Sequence, residues 1–186
     1  MTVPTYPMRP ISGGPFKAAR DGYVYEPKYN GWRALVHIET GAMFNRKGER
    51  LSIEKEFTSA LDQMRRTLDA EAFKWADCEA LERRHKLATG SLIVLDAVAP
   101  GYTYAERRSW LAAVLPQLVI SLPNQIAIAP HVDPTTGWAE LQEINRRLGA
   151  EFYEGVVGKR LDSRYEIQLR SPDQESTAWI KHRWRF

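Results

Sequence analysis

Glu26-Pro27-Lys28-Tyr29-Asn30-Gly31-Trp32-Arg33 is the stretch on which the reading of this chain turns. A strand-like run, Tyr23-Val24-Tyr25, leads into it, and a second, Ala34-Leu35-Val36-His37-Ile38, leaves it. Between them stands Asn30-Gly31, a turn signal. The pattern predicts strands over residues 23–28 and 33–39, the second returning from the first, with Lys28 at the strand-to-turn edge. A lysine amine is a nucleophile only when neutral, and desolvation or neighbouring cations supply that form. Lys28, held on such a support between Glu26 and Arg33, is therefore a candidate nucleophile; an exposed lysine on a surface hairpin is the alternative.

Working outward, residues 1–22 carry four prolines and Gly13-Gly14 and read as an irregular segment crossing the domain. Thr40-Gly41 turns the chain into Ala42-Met43-Phe44, and the polar turn Asn45-Arg46-Lys47-Gly48 follows. Ser52 is placed to cap a helix with Glu54 and Glu56 in its first turn. Phe57, Leu61, Met64 and Leu68 recur at helical spacing and predict its buried face. Trp75, Asp77, Glu79 and Leu81 share one face of a strand, which sets two acids beside apolar neighbours. Ser91 to Val98 reads as a buried strand interrupted by Asp96.

Thr103-Tyr104-Ala105-Glu106 has the capping-box pattern and opens a helix with Trp110, Leu111, Val114 and Leu115 on one side. A short strand is predicted over 125–132, and a third helix carries Trp138, Leu141, Ile144 and Leu148, closed by Gly149. Strands over 153–159 and 177–185 end the chain, with a polar, loop-like segment over 161–175 between them. The sum is a single α+β domain over 1–186, its sheets largely antiparallel and flanked by helices.

Composition bounds the function. The chain has 186 residues, 44% hydrophobic and 26% charged, as in a soluble globular domain. A net charge of +3 permits a polyanionic partner without requiring one. Cys78 is the only cysteine, which excludes an intramolecular disulfide and fits a reducing, cytoplasmic setting. No run is apolar and long enough to span a membrane. No glycine-rich P-loop occurs, which argues against a Walker-type NTPase.

What remains is a set of polar clusters on or beside strands: residues 28–33, 45–48, 77–79, 154–159 and 179–183. They supply lysines, arginines and carboxylates, with almost no histidine or serine placed for catalysis. Cations neutralise phosphates, and carboxylates hold a hard divalent ion. That inventory suits chemistry on a nucleotide.

In order, these clusters resemble the motifs of the covalent nucleotidyltransferases: ATP-dependent DNA ligases, RNA ligases and mRNA-capping enzymes. Lys28-Tyr29-Asn30-Gly31-Trp32-Arg33 is similar to K-x-D-G-x-R, with Asn30 where aspartate is usual. Asn45-Arg46-Lys47-Gly48 resembles S-R-x-G, and Asp77-Cys78-Glu79 resembles D-G-E with Cys78 for glycine. In Val94-Leu95-Asp96, Leu95 takes the place of a base-stacking aromatic. Glu154-Gly155-Val156-Val157-Gly158-Lys159 matches E-G-x-x-x-K, and Trp179-Ile180-Lys181-His182-Arg183 resembles W-x-K-x-K. The resemblance covers roughly residues 7 to 184 and leans towards bacterial and phage ATP-dependent DNA ligases.

The resemblance implies a nucleotidyltransferase fold and an adenylyltransferase domain with ATP as AMP donor and Mg²⁺ or Mn²⁺ as the ion. It implies that Lys28 attacks the α-phosphate and holds AMP. Glu26 accepts the adenine amino group, and Glu79 binds the ribose and, with Glu154, the metal. Arg33 and Arg46 contact ribose, phosphate or the nucleic-acid end. Leu95 packs against the base, and Lys159, Lys181 and Arg183 neutralise the triphosphate. The implied partner is nucleic acid with a 5′-phosphate end, nicked DNA first, with RNA ligation, a non-catalytic binding module and capping as alternatives. No C-terminal OB-fold follows in this chain, so the resemblance implies weak self-adenylylation and poor end joining unless such a module is supplied.

Overall fold

A computed structural model of the chain describes residue 3 and residues 6–82, 86–167 and 171–184. Two sheets carry the molecule. The first is four-stranded, in the order β1 (Arg9–Ser12), β9 (Glu175–Arg183), β8 (Tyr153–Arg160), β2 (Tyr23–Tyr29). The second is five-stranded, in the order β4 (Met43–Phe44), β3 (Trp32–His37), β5 (Trp75–Leu81), β6 (Ser91–Ala97), β7 (Ile126–Ile128). Helices α1 (Thr58–Thr67), α2 (Tyr104–Val114) and α3 (Gly137–Leu148) complete an α+β fold. The sheets are antiparallel apart from their edge pairs β1–β9 and β6–β7, which run parallel.

The stretch around Lys28 departs from the sequence reading in one respect. Strands β2 and β3 do not form a hairpin: β2 pairs with β8, and β3 pairs with β4 and β5. Asn30-Gly31 is the crossover between the two sheets. Both flanking strands bury residues and each joins a sheet of four or five strands, a burial that a two-strand ribbon does not supply. Gly31 is required there because a Cβ would stand 2.8 Å from both the Ala80 carbonyl oxygen and Glu79 Cγ.

One face of the five-stranded sheet meets α1 and α2. Ala34, Val36, Cys78 and Val94 pack there against Phe57, Leu61, Met64, Leu68, Leu111 and Leu115, the apolar faces read from helical spacing. On the other side, Leu81 and Ile93 join Tyr25, Tyr29, Phe152, Val156 and Trp184 between the sheets, with Leu141 of α3. Trp75 lies in a core cluster with Leu35 and Phe44, its ring edge-on to His37 at 4.9 Å.

Several local expectations change. Ser52 does not cap a helix: a 3₁₀ turn over Glu54–Phe57 precedes α1, and neither has a side-chain cap. The N-terminal segment is not wholly irregular, since β1 adds an edge strand to β9. The Thr103–Glu106 capping box forms in full, but Val114 at the end of α2 is exposed, as is Leu148 of α3. The segment over 161–175 buries Tyr165 and Ser163, and Arg164 bridges to Thr103. Arg185 of the last predicted strand lies outside the described residues.

Candidate active site

A cavity of about 250 Å³ opens between the sheets. Its wall includes Glu26, Lys28, Arg33, Arg46, Glu79, Leu95, Glu154, Lys159, Lys181 and Arg183, so every site residue named from the sequence reaches one pocket. Trp179, Met8 and Pro172, which the sequence reading did not place there, close it.

Irregular pairing shapes this wall. Lys28 pairs with Gly155 and Tyr29 with Tyr153, which leaves Glu154 as an extra residue beside Lys28. Asp77 pairs with Asp96 and Cys78 with Val94, which leaves Leu95 extra on β6. Bulges of this kind re-aim side chains. The first puts Glu154 where Lys28 Nζ donates to its Oε1, an atom that also accepts from Arg183 Nη2 at 2.8 Å. The second turns Asp96 to the same side as Asp77 while Val94 stays in the helix-covered core. At Gly155 a Cβ would meet the His182 carbonyl oxygen at 2.0 Å, so only glycine lets β8 and β9 approach this closely beside Glu154.

The acids of β5 differ in task. Asp77 takes a forked contact from the Arg33 guanidinium and a 2.6 Å hydrogen bond from the Tyr165 hydroxyl. Arg33, whose Nη2 also donates to the Met8 carbonyl at 3.1 Å, lies in the wall with its charge already paired. Glu79 accepts only the Gly31 N–H at 3.0 Å among the described hydrogen bonds. Burial raises its pKa, opposed by Lys28, Arg33 and that N–H and assisted by Glu154.

Behind the pocket lies a layer that the sequence reading missed. Tyr104 donates its hydroxyl to Glu26 Oε1, Arg108 Nη1 stands 3.5 Å from the same oxygen, and Lys159 Nζ lies 2.7 Å from Oε2. Lys159 also donates to the Leu95 carbonyl at 2.7 Å and sits over the Trp179 ring at 4.4 Å. Burial alone would raise the Glu26 pKa; Lys159, Arg108 and the hydrogen bonds override it and hold the carboxyl below its usual range. Burial lowers Lys159 despite Glu26 and Asp96. Asp96 itself is held by Arg107 through two 2.7 Å bonds. The capping box held the signal: once Thr103 starts α2, Tyr104, Arg107, Arg108 and Leu111 fall at i, i+3, i+4 and i+7 on one face.

At the mouth the pairs are looser. Asp173 lies 3.1 Å from Arg9 and 4.0 Å from Arg46, and Glu175 lies 3.6 Å from both Arg9 and Lys181. Lys181 also donates to the Pro10 carbonyl at 2.9 Å. Lys181 and Arg183 share the pocket face of β9, as their spacing predicts. Trp32, 42% exposed, lines a second shallow groove with Asn45, Arg46 and Lys47 that runs on from the first past Gly31 and Arg33. Among the described residues no group of three or more His, Cys, Asp or Glu gathers to bind a metal. Glu79 and Glu154 place carboxylate oxygens, the donor type that hard ions prefer, in the wall of the cavity. No described helix is long and apolar enough to cross a membrane.

No family model and no curated protein matches the sequence. Solved structures do match in fold. The ligase domain of LigD from M. tuberculosis superposes with a TM-score of 0.65 at 19% identity, covering 96% of this chain and 59% of that one. Chlorella virus DNA ligase-adenylate gives 0.56 at 16% identity, over 96% of this chain and 69% of that one. An archaeal ATP-dependent RNA ligase gives 0.50 at 17% identity, over 95% and 47%. The chain thus has the fold of a ligase nucleotidyltransferase domain and spans about three fifths of the length of the LigD structures it matches.

Proposed function

We propose that the chain is the catalytic domain of an ATP-dependent polynucleotide ligase acting through a lysyl-AMP on Lys28. The observation that carries this reading is the meeting of Lys28 and Arg183 on one oxygen of Glu154 in a pocket that also holds Glu26, Glu79 and Lys181.

In the first step Lys28 Nζ attacks the α-phosphorus of ATP. An N–P bond forms, the bond to the β-phosphate oxygen breaks, and pyrophosphate leaves. Before the attack the ammonium proton passes to Glu154, whose Oε1 already accepts from Nζ, and a second N–H proton leaves with the pyrophosphate as the phosphoramidate forms. Arg183, Lys181 and Arg46 oppose the charge that builds on the leaving phosphates. Glu26 offers acceptor oxygens to the adenine amino group, and Leu95 gives the ring an apolar contact. Glu79 accepts from ribose hydroxyls, keeping one oxygen on the Gly31 N–H. Glu79 and Glu154 would hold a divalent ion, which supplies charge neutralisation at the phosphates. Lys159 is withdrawn behind Glu26 and acts on the triphosphate through its field.

AMP then passes from Lys28 to a 5′-phosphate end, the P–N bond breaking and the lysine regaining its proton. Attack by a 3′-hydroxyl releases AMP and seals the strand. The groove beside Trp32, Arg46 and Lys47 is the route we assign to that strand. Nicked duplex DNA is the first substrate, on the likeness to two DNA ligases; an RNA end is the second, on the likeness to an archaeal RNA ligase. The test is sealing of a nicked DNA duplex and of its RNA-containing counterparts with ATP and Mg²⁺, with and without an added OB-fold module. Preference for the all-DNA nick supports the first assignment, preference for an RNA end selects the second, and sealing of neither with an OB-fold module present refutes the reading.

A further inference from the structure

The buried face of α2 ends in two polar side chains, Tyr104 and Arg108, that touch neither the cavity nor Lys28. Both meet Glu26. Tyr104 is wholly buried, and its hydroxyl donates to Glu26 Oε1. Arg108 Nη1 is buried without a hydrogen bond and is aimed at the same oxygen from 3.5 Å. Arg108 Nη2 is fixed on the Ala129 carbonyl, so the guanidinium cannot turn away. Lys159 donates to the Tyr104 hydroxyl at 3.4 Å, which leaves that hydroxyl's own proton for Glu26.

We infer that Tyr104 and Arg108 are positioning residues that keep Glu26 an ionised, acceptor-only group and thereby set the choice of purine. The inference rests on the function proposed above. Its logic is the donor and acceptor inventory of a carboxyl group. An ionised carboxylate only accepts, so it welcomes an exocyclic amino group and repels a carbonyl oxygen at the same place. A protonated carboxyl carries an O–H and can donate to that carbonyl. A carboxyl group as buried as Glu26 is pushed towards protonation unless its neighbours prevent it. Discrimination between a 6-amino and a 6-oxo purine is thus only as good as the ionisation of Glu26.

The groups that face Glu26 are few. Lys159 comes from β8, and Tyr104 and Arg108 come from α2. Tyr29 on β2 and His131 after β7 act on it at longer range. Lys159 spends two of its three N–H groups on the Leu95 carbonyl and the Tyr104 hydroxyl, and the third faces Oε2, so it does not serve both oxygens. Removing the Tyr104 hydroxyl therefore moves Glu26 protonation to higher pH.

The experiment is self-labelling with ATP and with GTP, each scored as kcat/KM, from pH 5.5 to pH 8. Wild type, Tyr104→Phe, Arg108→Gln, Glu26→Gln and the Tyr104→Phe/Glu26→Gln double variant are compared. The ATP preference of wild type should be flat across the range. In Tyr104→Phe it should fall by about tenfold, most at the acid end, through a higher KM for ATP with kcat retained. Arg108→Gln should shift the profile in the same direction, which keeps the inference testable should either variant fold poorly. In the Glu26→Gln background, Tyr104→Phe should add nothing to the loss of preference. An unchanged preference in both single variants, or an equal loss with and without Glu26, overturns the inference and leaves the ligase reading standing. Absence of label from either nucleotide on folded wild type overturns the ligase reading and this inference together.

Discussion

At the back of the pocket Glu26, Lys159, Arg107 and Asp96 are withdrawn from water, whereas at its mouth Arg46 and Asp173 stand largely in it and Arg9 in part. The two regions use the same residue types to different ends. In the back wall each charge is matched by fixed partners, as in the two-bond Arg107–Asp96 pair. Buried charges without partners are costly, so this layer is held rigidly and sets shape and protonation. At the mouth the ion pairs are longer and exposed, and water competes for them. There the cations can exchange Asp173 and Glu175 for phosphate at little cost. A pocket built this way keeps its base-reading wall constant and its phosphate-reading rim adaptable.

The comparison breaks first at Asp96. Arg107→Ala should strand a buried carboxylate opposite Asp77 and cost about 3–5 kcal/mol in a denaturant titration. A loss below 1 kcal/mol would mean that the layer is not rigid.

Glu26→Gln tests the same wall by pH. The folded pKa of Glu26 is lowered, so its ionisation stabilises the fold above the ordinary carboxyl range near 4.5 and that contribution is lost as pH falls through the folded value. The variant should be less stable by about 2–3 kcal/mol at pH 7, with the gap to wild type closing in acid. Glu79 has the opposite sign: its raised pKa means that ionisation costs stability at neutral pH. Glu79→Gln should therefore be as stable as wild type or more so in thermal melts at pH 7, while self-labelling falls. The smallest effect is expected at the mouth. Asp173→Asn should change stability by at most about 1 kcal/mol, and the change should shrink as salt rises.

How much of this was legible in the sequence differs between the same two regions. The residues that line the pocket were legible because their clusters resemble the nucleotidyltransferase motifs in order; strand parity added that Lys181 and Arg183 share a face, and neither depends on whether Asn30-Gly31 is a hairpin turn or a crossover. The crossover itself was not, since a turn dipeptide reports a local bend and says nothing about which strands pair beyond it. The apolar faces of α1 and α3 followed from helical spacing, whereas Ser52 gave a false cap because a 3₁₀ turn intervenes. The β6 bulge that turns Asp96 inward has no local signature. Arg107 and Arg108 carried no signal of burial in the sequence and are buried only because Asp96 and Glu26, on other elements, wait for them. Tyr165 was hidden in a polar segment for the same reason: its partner, Asp77, is on another strand.

The central claim is that Lys28 carries the nucleotide. Its most direct test is incubation with ATP labelled at the α-phosphate and Mg²⁺, on wild type and Lys28→Ala, read on a denaturing gel. The account predicts label on wild type, released by acid as a phosphoramidate, and none on Lys28→Ala. Label that persists in Lys28→Ala, or its absence from folded wild type at high enzyme concentration, would contradict it.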